Sequence, residues 1–178
     1  MPLFLLTGSA GTGKTTICQK LREKGYEAYD TDNDGLSKWQ NIETGYIHPK
    51  SSVKDVERTP EFLKVHAWNI PRQDIEELHD KSTEKIIFLC GVLDNLTDVR
   101  DLFDGVFALF VDDETLKHRL DTRTSGDWGK QEHELEHTLE NHHIVYDRYR
   151  ELGAKVIDAT KPIDLVVEDI VANALQVQ

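Results

Sequence analysis

Apolar residues in this chain gather in short runs rather than in long helical stripes. Residues 3–6, 86–90, 106–111 and 154–157 form runs of four to six residues, rich as a set in β-branched or aromatic side chains. Runs of this kind read as strands buried on both faces. A fifth stretch, 26–29, is more amphipathic. The intervening polar-faced segments predict helices over 14–24, 95–103, 113–122, 131–152 and 162–175. Asp112 or Asp113 is placed to cap the third of these, and Pro162 to open the last. Strands alternating with helices imply right-handed crossovers, hence an α/β three-layer fold around a five-stranded parallel sheet. Segment 34–83 interrupts the alternation with Gly, Pro and polar turns, and its one expected helix lies near 72–81. It reads as an inserted substrate-binding segment within a single domain spanning 1–178.

The link between the first strand and the first helix carries the most specific chemistry. In "GSAGTGKTT", Gly8, Gly13, Lys14 and Thr15 satisfy G-x-x-x-x-G-K-[ST] without a mismatch. Glycines at 8, 11 and 13 let the backbone of Ser9, Ala10 and Thr12 wrap an anion, with N–H groups and the helix N-terminus aimed at it. Lys14 is expected to reach the terminal phosphates of ATP, and the Thr15 hydroxyl to ligate magnesium, with Thr16 completing the cradle. A plain Gly-rich turn would not require Lys-Thr at this spacing.

Bulk composition narrows the partners. The chain has 178 residues, 33 of them acidic and 21 basic, for a net charge of −12. That balance opposes an extended nucleic-acid groove, which needs a basic field. No apolar run approaches the roughly 20 residues that cross a bilayer. The N-terminal residues lack a basic leader, so a cytoplasmic protein, monomeric or homodimeric, is expected. Cys18 and Cys90 sit in apolar surroundings and read as reduced core residues.

The second strand runs into "YEAYDTDNDG", where Glu27, Asp30, Asp32 and Asp34 crowd together. The stretch lacks the ligand alternation and terminal Glu of a calcium hand. Further on, "FALFVDDE" at 107–114 superficially offers the acidic strand end of ATP-driven machines. The residues after it point elsewhere: Arg119 and Arg123 lie four apart on one helix face, and a Gly-containing polar loop comes next.

In these features the sequence resembles the small-molecule kinases of the P-loop class, the adenylate, shikimate and gluconate kinase group. The cradle at 8–16, the Asp-x-Asp at 30–32, the Arg pair and the "DATKP" at 158–162 occur in the family's order. The resemblance implies that Arg119 lies against adenine, that Thr160 and Pro162 flank the base edge, and that Arg123 meets the transferring phosphate. It implies a lid over 122–132, with Gly126 and Gly129 as hinges and Trp128 packed beneath. Asp30 would face magnesium through water, and Asp32 would orient the acceptor hydroxyl and serve as base. Asp34 reads as a helix cap. Where adenylate-type kinases carry Asp-Gly and shikimate kinases a Gly triplet, this chain has "LCGVLDN" with Gly91. Trp39, Arg58, Trp68 and Gly91 are candidate acceptor contacts, with Tyr46 a further aromatic. Arg148 or Arg150 would reach back to the phosphates.

"HELEH" at 133–137 matches the helical zinc signature, with His133 and His137 on one face and Glu134 as base. Its setting, "KQEHELEHTLENHH", alternates charges as a solvated helix does, which opposes buried zinc ligands. The sequence therefore supports an ATP- and magnesium-dependent kinase acting on a nucleoside or nucleotide, or else on a sugar acid or polyol. A regulatory nucleotide-binding protein remains the rival reading.

Overall fold

A computed structural model describes residues 2–49, 52–54, 57–82, 85–123, 128–129 and 131–177. The expected runs all become strands: β1 (Leu3–Thr7), β2 (Glu27–Asp30), β5 (Ile87–Cys90), β6 (Gly105–Phe110) and β7 (Lys155–Asp158). They form one parallel sheet in the order β2-β5-β1-β6-β7. Alternation of side chains along β1 explains the layers. Phe4 and Leu6 enter one core with Phe88, Phe107 and Leu109, beneath the buried residues of helices α1 (Lys14–Glu23), α5 (Asp113–Thr122) and α7 (Ile163–Leu175). Leu3 and Leu5 enter the other, with Ile87, Leu89 and Val106. That face is covered by α3 (Arg72–Lys81), α4 (Leu96–Val99) and the C-terminal half of α6 (Glu132–Glu151). Phe4 stacks on Phe88 with ring centroids 5.6 Å apart, a pairing that adds about 0.5–1.5 kcal/mol beyond its buried area.

Caps fall where the side chains predict. Asp112 accepts the backbone N–H of Thr115 at 2.7 Å, and Pro162 precedes α7. The helix expected over 95–103 is shorter, because α4 tightens into a 3₁₀ turn at Arg100–Leu102.

Segment 34–83 holds an antiparallel pair that apolar patterning does not predict, β3 (Lys38–Asn41) with β4 (His66–Asn69), joined through α2 (Pro60–Val65). Two strands alone are marginal in water. Here Trp39 lies opposite Trp68 with centroids 5.0 Å apart, and Phe62 of α2 meets Trp39 edge-on at 5.3 Å. Of the expected lid, residues 124–127 and 130, including the hinge Gly126, lie outside the described residues.

Helix α6 is the second departure. Its buried residues are Glu134, Thr138, His142, Tyr146 and Tyr149. At spacings of four, four, four and three these form one helix face. The face is polar at its start, so its burial is invisible to an apolar-periodicity reading. Leu135 and Leu139 pack on one core while Val145 and Leu152 pack on the other, so α6 passes from one face of the sheet to the other. No helix among the described residues is long and apolar enough to cross a membrane.

Candidate active site

All five parallel strands end on the same edge of the sheet, where ligands of open α/β folds bind. The cradle leaves β1 there. Gly8, Gly11 and Gly13 hold φ of 145°, 86° and 101°. A Cβ on Gly8 would stand 2.7 Å from Leu109 O, so both the backbone angle and the space require glycine. Thr12 donates its hydroxyl to Ser9 O at 2.9 Å, bracing the loop. Lys14 Nζ donates to Gly8 O at 2.7 Å and to Ser9 O at 2.8 Å. Burial lowers the Lys14 pKa to about 8; Asp32 and Asp30 hold it up while Arg123 pushes it down.

Two further anchors fix the loop. Arg119 donates to Thr12 O at 3.4 Å and to Ala159 O at 2.9 Å, tying the cradle to the segment after β7. His142, fully buried, contacts Val111 O through Nε2 at 2.8 Å and the Ser9 hydroxyl through Nδ1 at 2.8 Å. Since Val111 O can only accept, Nε2 carries a proton and Nδ1 is left to accept the Ser9 hydroxyl hydrogen in the neutral ring. Sequence reading, in which His142 is at most a conceivable third zinc ligand after "HELEH", misses this anchoring role because the residue stands among exposed histidines on a polar helix.

The acidic stretch after β2 divides into distinct tasks. Asp30 is 4% exposed, and its Oδ1 accepts the N–H groups of Asp32 and Asn33 at 3.2 and 3.0 Å. Its Oδ2 is buried with no hydrogen-bond partner. A buried carboxylate oxygen left this way is costly unless a cation shell or water takes it, so the residues present fit a magnesium ion near Asp30 and Thr15. Asp34 is not a helix cap: its Oδ2 accepts from Arg22 Nη2 at 2.6 Å and from the Asp30 N–H at 2.8 Å, closing the turn. Asp32 Oδ1 accepts the Trp68 indole N–H at 2.8 Å.

A cavity of 1390 Å³ joins the cradle to the insert. Lys14, Thr15, Arg119 and Arg123 line one part of it, and Asp32, Trp39, Arg58, Trp68 and Trp128 another. Tyr46, Thr160 and Pro162 are not among its lining residues, although Ala159, Lys161 and Ile163 are. Gly91 also stays off the wall. A Cβ there would come within 1.7 Å of Thr31 Oγ1, so this glycine makes room for the turn that carries Asp32. Asp94 does line the cavity. Its Oδ2 accepts the Trp68 backbone N–H at 2.7 Å, and burial raises its pKa although the Trp68 amide, Arg148 and His137 all favour the charged form. Its position just past β5, on the ligand edge, is the signal in the sequence that could have found it.

Arg58 is 6% exposed and buried against α6. Its Nε donates to Glu134 Oε1 at 2.7 Å, its guanidinium lies 5.9 Å from the centre of the Trp128 ring, and its carbonyl oxygen contacts His133 Nε2 at 2.7 Å. Glu134 Oε2 accepts the Gly129 N–H at 2.8 Å. The first His and the Glu of "HELEH" therefore fasten the insert and the lid end. Among the described residues no group of three or more His, Cys, Asp or Glu could hold a metal ion. Of the two post-lid arginines, Arg148 donates to Asp94 O and Thr97 Oγ1, and Arg150 lies 3.9 Å from Asp147 on the surface. Neither lines the cavity.

Known proteins share this architecture. A family model described as an AAA domain matches residues 5–140. No curated protein gives a match. Among solved structures, the chain is similar to shikimate kinase from Acinetobacter baumannii in complex with shikimate, at 19% identity and a TM-score of 0.60, over 99% of this chain and 94% of that one. Deoxyadenosine kinase from M. mycoides, with its products dCMP and dCDP bound, is 16% identical with a TM-score of 0.56, over 99% and 100% of the two chains. An unliganded sugar kinase from a Janibacter species is 19% identical with a TM-score of 0.54, over 97% and 93%. At these identities the likeness establishes the fold, that of P-loop small-molecule kinases.

Proposed function

The chain belongs to the AAA domain family, a family of P-loop proteins, and from that premise we propose that it is an ATP-dependent small-molecule kinase. It would move the γ-phosphoryl group of ATP to a hydroxyl or phosphate of a small metabolite. The observation that carries the reading is one continuous cavity with a phosphate cradle at one part and a carboxylate among tryptophans at another. A nucleotide switch needs the cradle, but it does not need an acceptor chamber.

Phosphoryl transfer asks for alignment, charge neutralisation and exclusion of water. Lys14 Nζ exchanges the carbonyls of Gly8 and Ser9 for phosphate oxygens, which match its charge better. Arg119 supports the adenine side together with the segment around Thr160 and Pro162. Arg123, on the cavity wall, supplies positive charge where the transferring group is most negative. Thr15 and, through water, Asp30 would hold magnesium, whose contribution is to neutralise charge across the phosphates. Asp32, oriented by the Trp68 indole, aligns the acceptor hydroxyl and takes its proton late. Residues 122–132 act as the lid. Nucleoside or nucleotide acceptors lead because Trp39, Trp68 and Trp128 line the chamber; a sugar acid or polyol is the second class, because the carboxylates of the same wall suit hydroxyl groups.

Two results test this reading. ADP release should rise above its acceptor-free rate with at least one member of a nucleoside, nucleotide and sugar-acid panel; no stimulation by any member contradicts the kinase reading. Nucleotide affinity should also carry the signature of Lys14. Bound phosphate favours the charged amine, so ADP affinity is level below pH 8 and falls as pH rises past the value of about 8, by up to about tenfold per pH unit. In the protein without nucleotide the sign reverses. The folded pKa lies below the unfolded one, so this group's contribution to stability grows as pH rises from about 8 towards 10.5. Calorimetric titration across this range reads the affinity profile, and a flat profile contradicts the assignment.

A further inference from the structure

Trp68 connects two carboxylates that line the acceptor chamber. Its indole N–H is given to Asp32 Oδ1 at 2.8 Å and its backbone N–H to Asp94 Oδ2 at 2.7 Å. The Asp94 backbone N–H returns a bond to Trp68 O at 3.1 Å, which locks the two residues together. Asp32 and Asp94 are thus held at opposite ends of one tryptophan by donors that carry no charge.

Among the described residues, most of the nearby cations are otherwise engaged. Arg58 is paired with Glu134 at 2.7 Å, with the two side chains 8% and 0% exposed. Lys38 is paired with Asp74 at 3.2 Å. Arg148 directs Nη2 to the main-chain oxygen of Asp94 and to Thr97, and His137 stands on the same wall. Lys54 lines the chamber but is exposed to solvent. Lys14 and Arg123 belong to the phosphate part.

Building on the kinase reading, we infer that the acceptor is an uncharged polyhydroxylated compound, and that Asp94 is a specificity-determining residue that accepts a second hydroxyl beside the one oriented by Asp32. A carboxylate accepts hydroxyl hydrogens well, and a phosphate or carboxylate on the acceptor would meet two negative groups on the chamber wall. The tryptophan walls suit the flat apolar faces of a nucleoside base or of a sugar ring. The ribose of a nucleoside and a free neutral polyol present the same hydroxyl chemistry, and the assay separates them.

The test compares acceptor-dependent ADP release by the wild-type protein and by Asp94→Asn on matched compounds: nucleosides against their 5′-monophosphates, and neutral sugars or polyols against the corresponding sugar acids. The wild-type protein should favour the neutral member by about a hundredfold or more in kcat/KM. Asp94→Asn keeps an oxygen for the Trp68 amide but loses the charge. It should raise KM for the neutral acceptor about tenfold and narrow the discrimination against the charged one, with ATP affinity unchanged. A monophosphate or sugar acid used as well as its neutral counterpart overturns the inference and leaves the kinase reading standing. ATP binding with no stimulation by any compound in either arm overturns the kinase reading, and the inference with it.

Discussion

Asp32→Asn is expected to lower acceptor-dependent turnover by about 10²–10⁴-fold while ATP affinity at neutral pH changes by less than about twofold. The substitution is nearly isosteric. Its amide oxygen can still accept the Trp68 indole N–H, so the local structure survives and only charge and basicity are lost. ATP depends on other residues: the cradle backbone, Lys14 and Arg119, whose anchors at Thr12 O and Ala159 O do not involve Asp32. Steady-state kinetics beside calorimetric ATP titration measures both quantities. If turnover and affinity both survive, the Asp30–Asp32 turn serves only structure.

Glu134→Ala is expected to cost about 3–5 kcal/mol of stability, because it removes the carboxylate 2.7 Å from Arg58 Nε at a site where the two side chains are 8% and 0% exposed. The Gly129 N–H loses its acceptor in the same step. For a chain of this length the thermal midpoint should fall by roughly 10 °C. Glu134→Gln, which keeps an acceptor oxygen in place, should lose less. Circular dichroism during heating and denaturant titration measures the loss. A change below about 1 kcal/mol would mean that the pair contributes nothing beyond a surface ion pair.

These two residues also mark what can be read from the sequence. The cradle is legible because its chemistry is local: nine consecutive residues carry the glycines, the lysine and the threonines. β1 and β5 are legible because burial on both faces demands continuous apolar runs, and both are buried at every position, whereas the edge strand β7 buries only Ile157 of its four residues. The strand order is not legible, since β5 inserts between β1 and β2 through pairings that no local pattern encodes. The Asp-x-Asp is recognisable, but the neighbour that orients Asp32 lies 36 positions away on β4.

Arg58, an expected acceptor contact, does line the chamber. Its Nε nevertheless bonds Glu134, 76 positions on, in a helix whose sequence reads as solvated. That helix hides its role because Glu134, Thr138 and His142 are buried through hydrogen bonds rather than by apolar packing. Asp34 departs from its expected capping role for a related reason. An acidic residue after a strand can cap a helix, but here Arg22 of the preceding helix draws it into the turn.

If the cradle and the Asp32 chamber act as one reaction site, a phosphoryl group must pass directly between them. Single-turnover transfer from ATP labelled at the γ-phosphate, with an acceptor that stimulates ADP release, tests this most directly. Wild-type protein should place the label on the acceptor, and Asp32→Asn should bind ATP yet leave the label where it began. Label recovered only as inorganic phosphate from the wild-type protein would contradict the account.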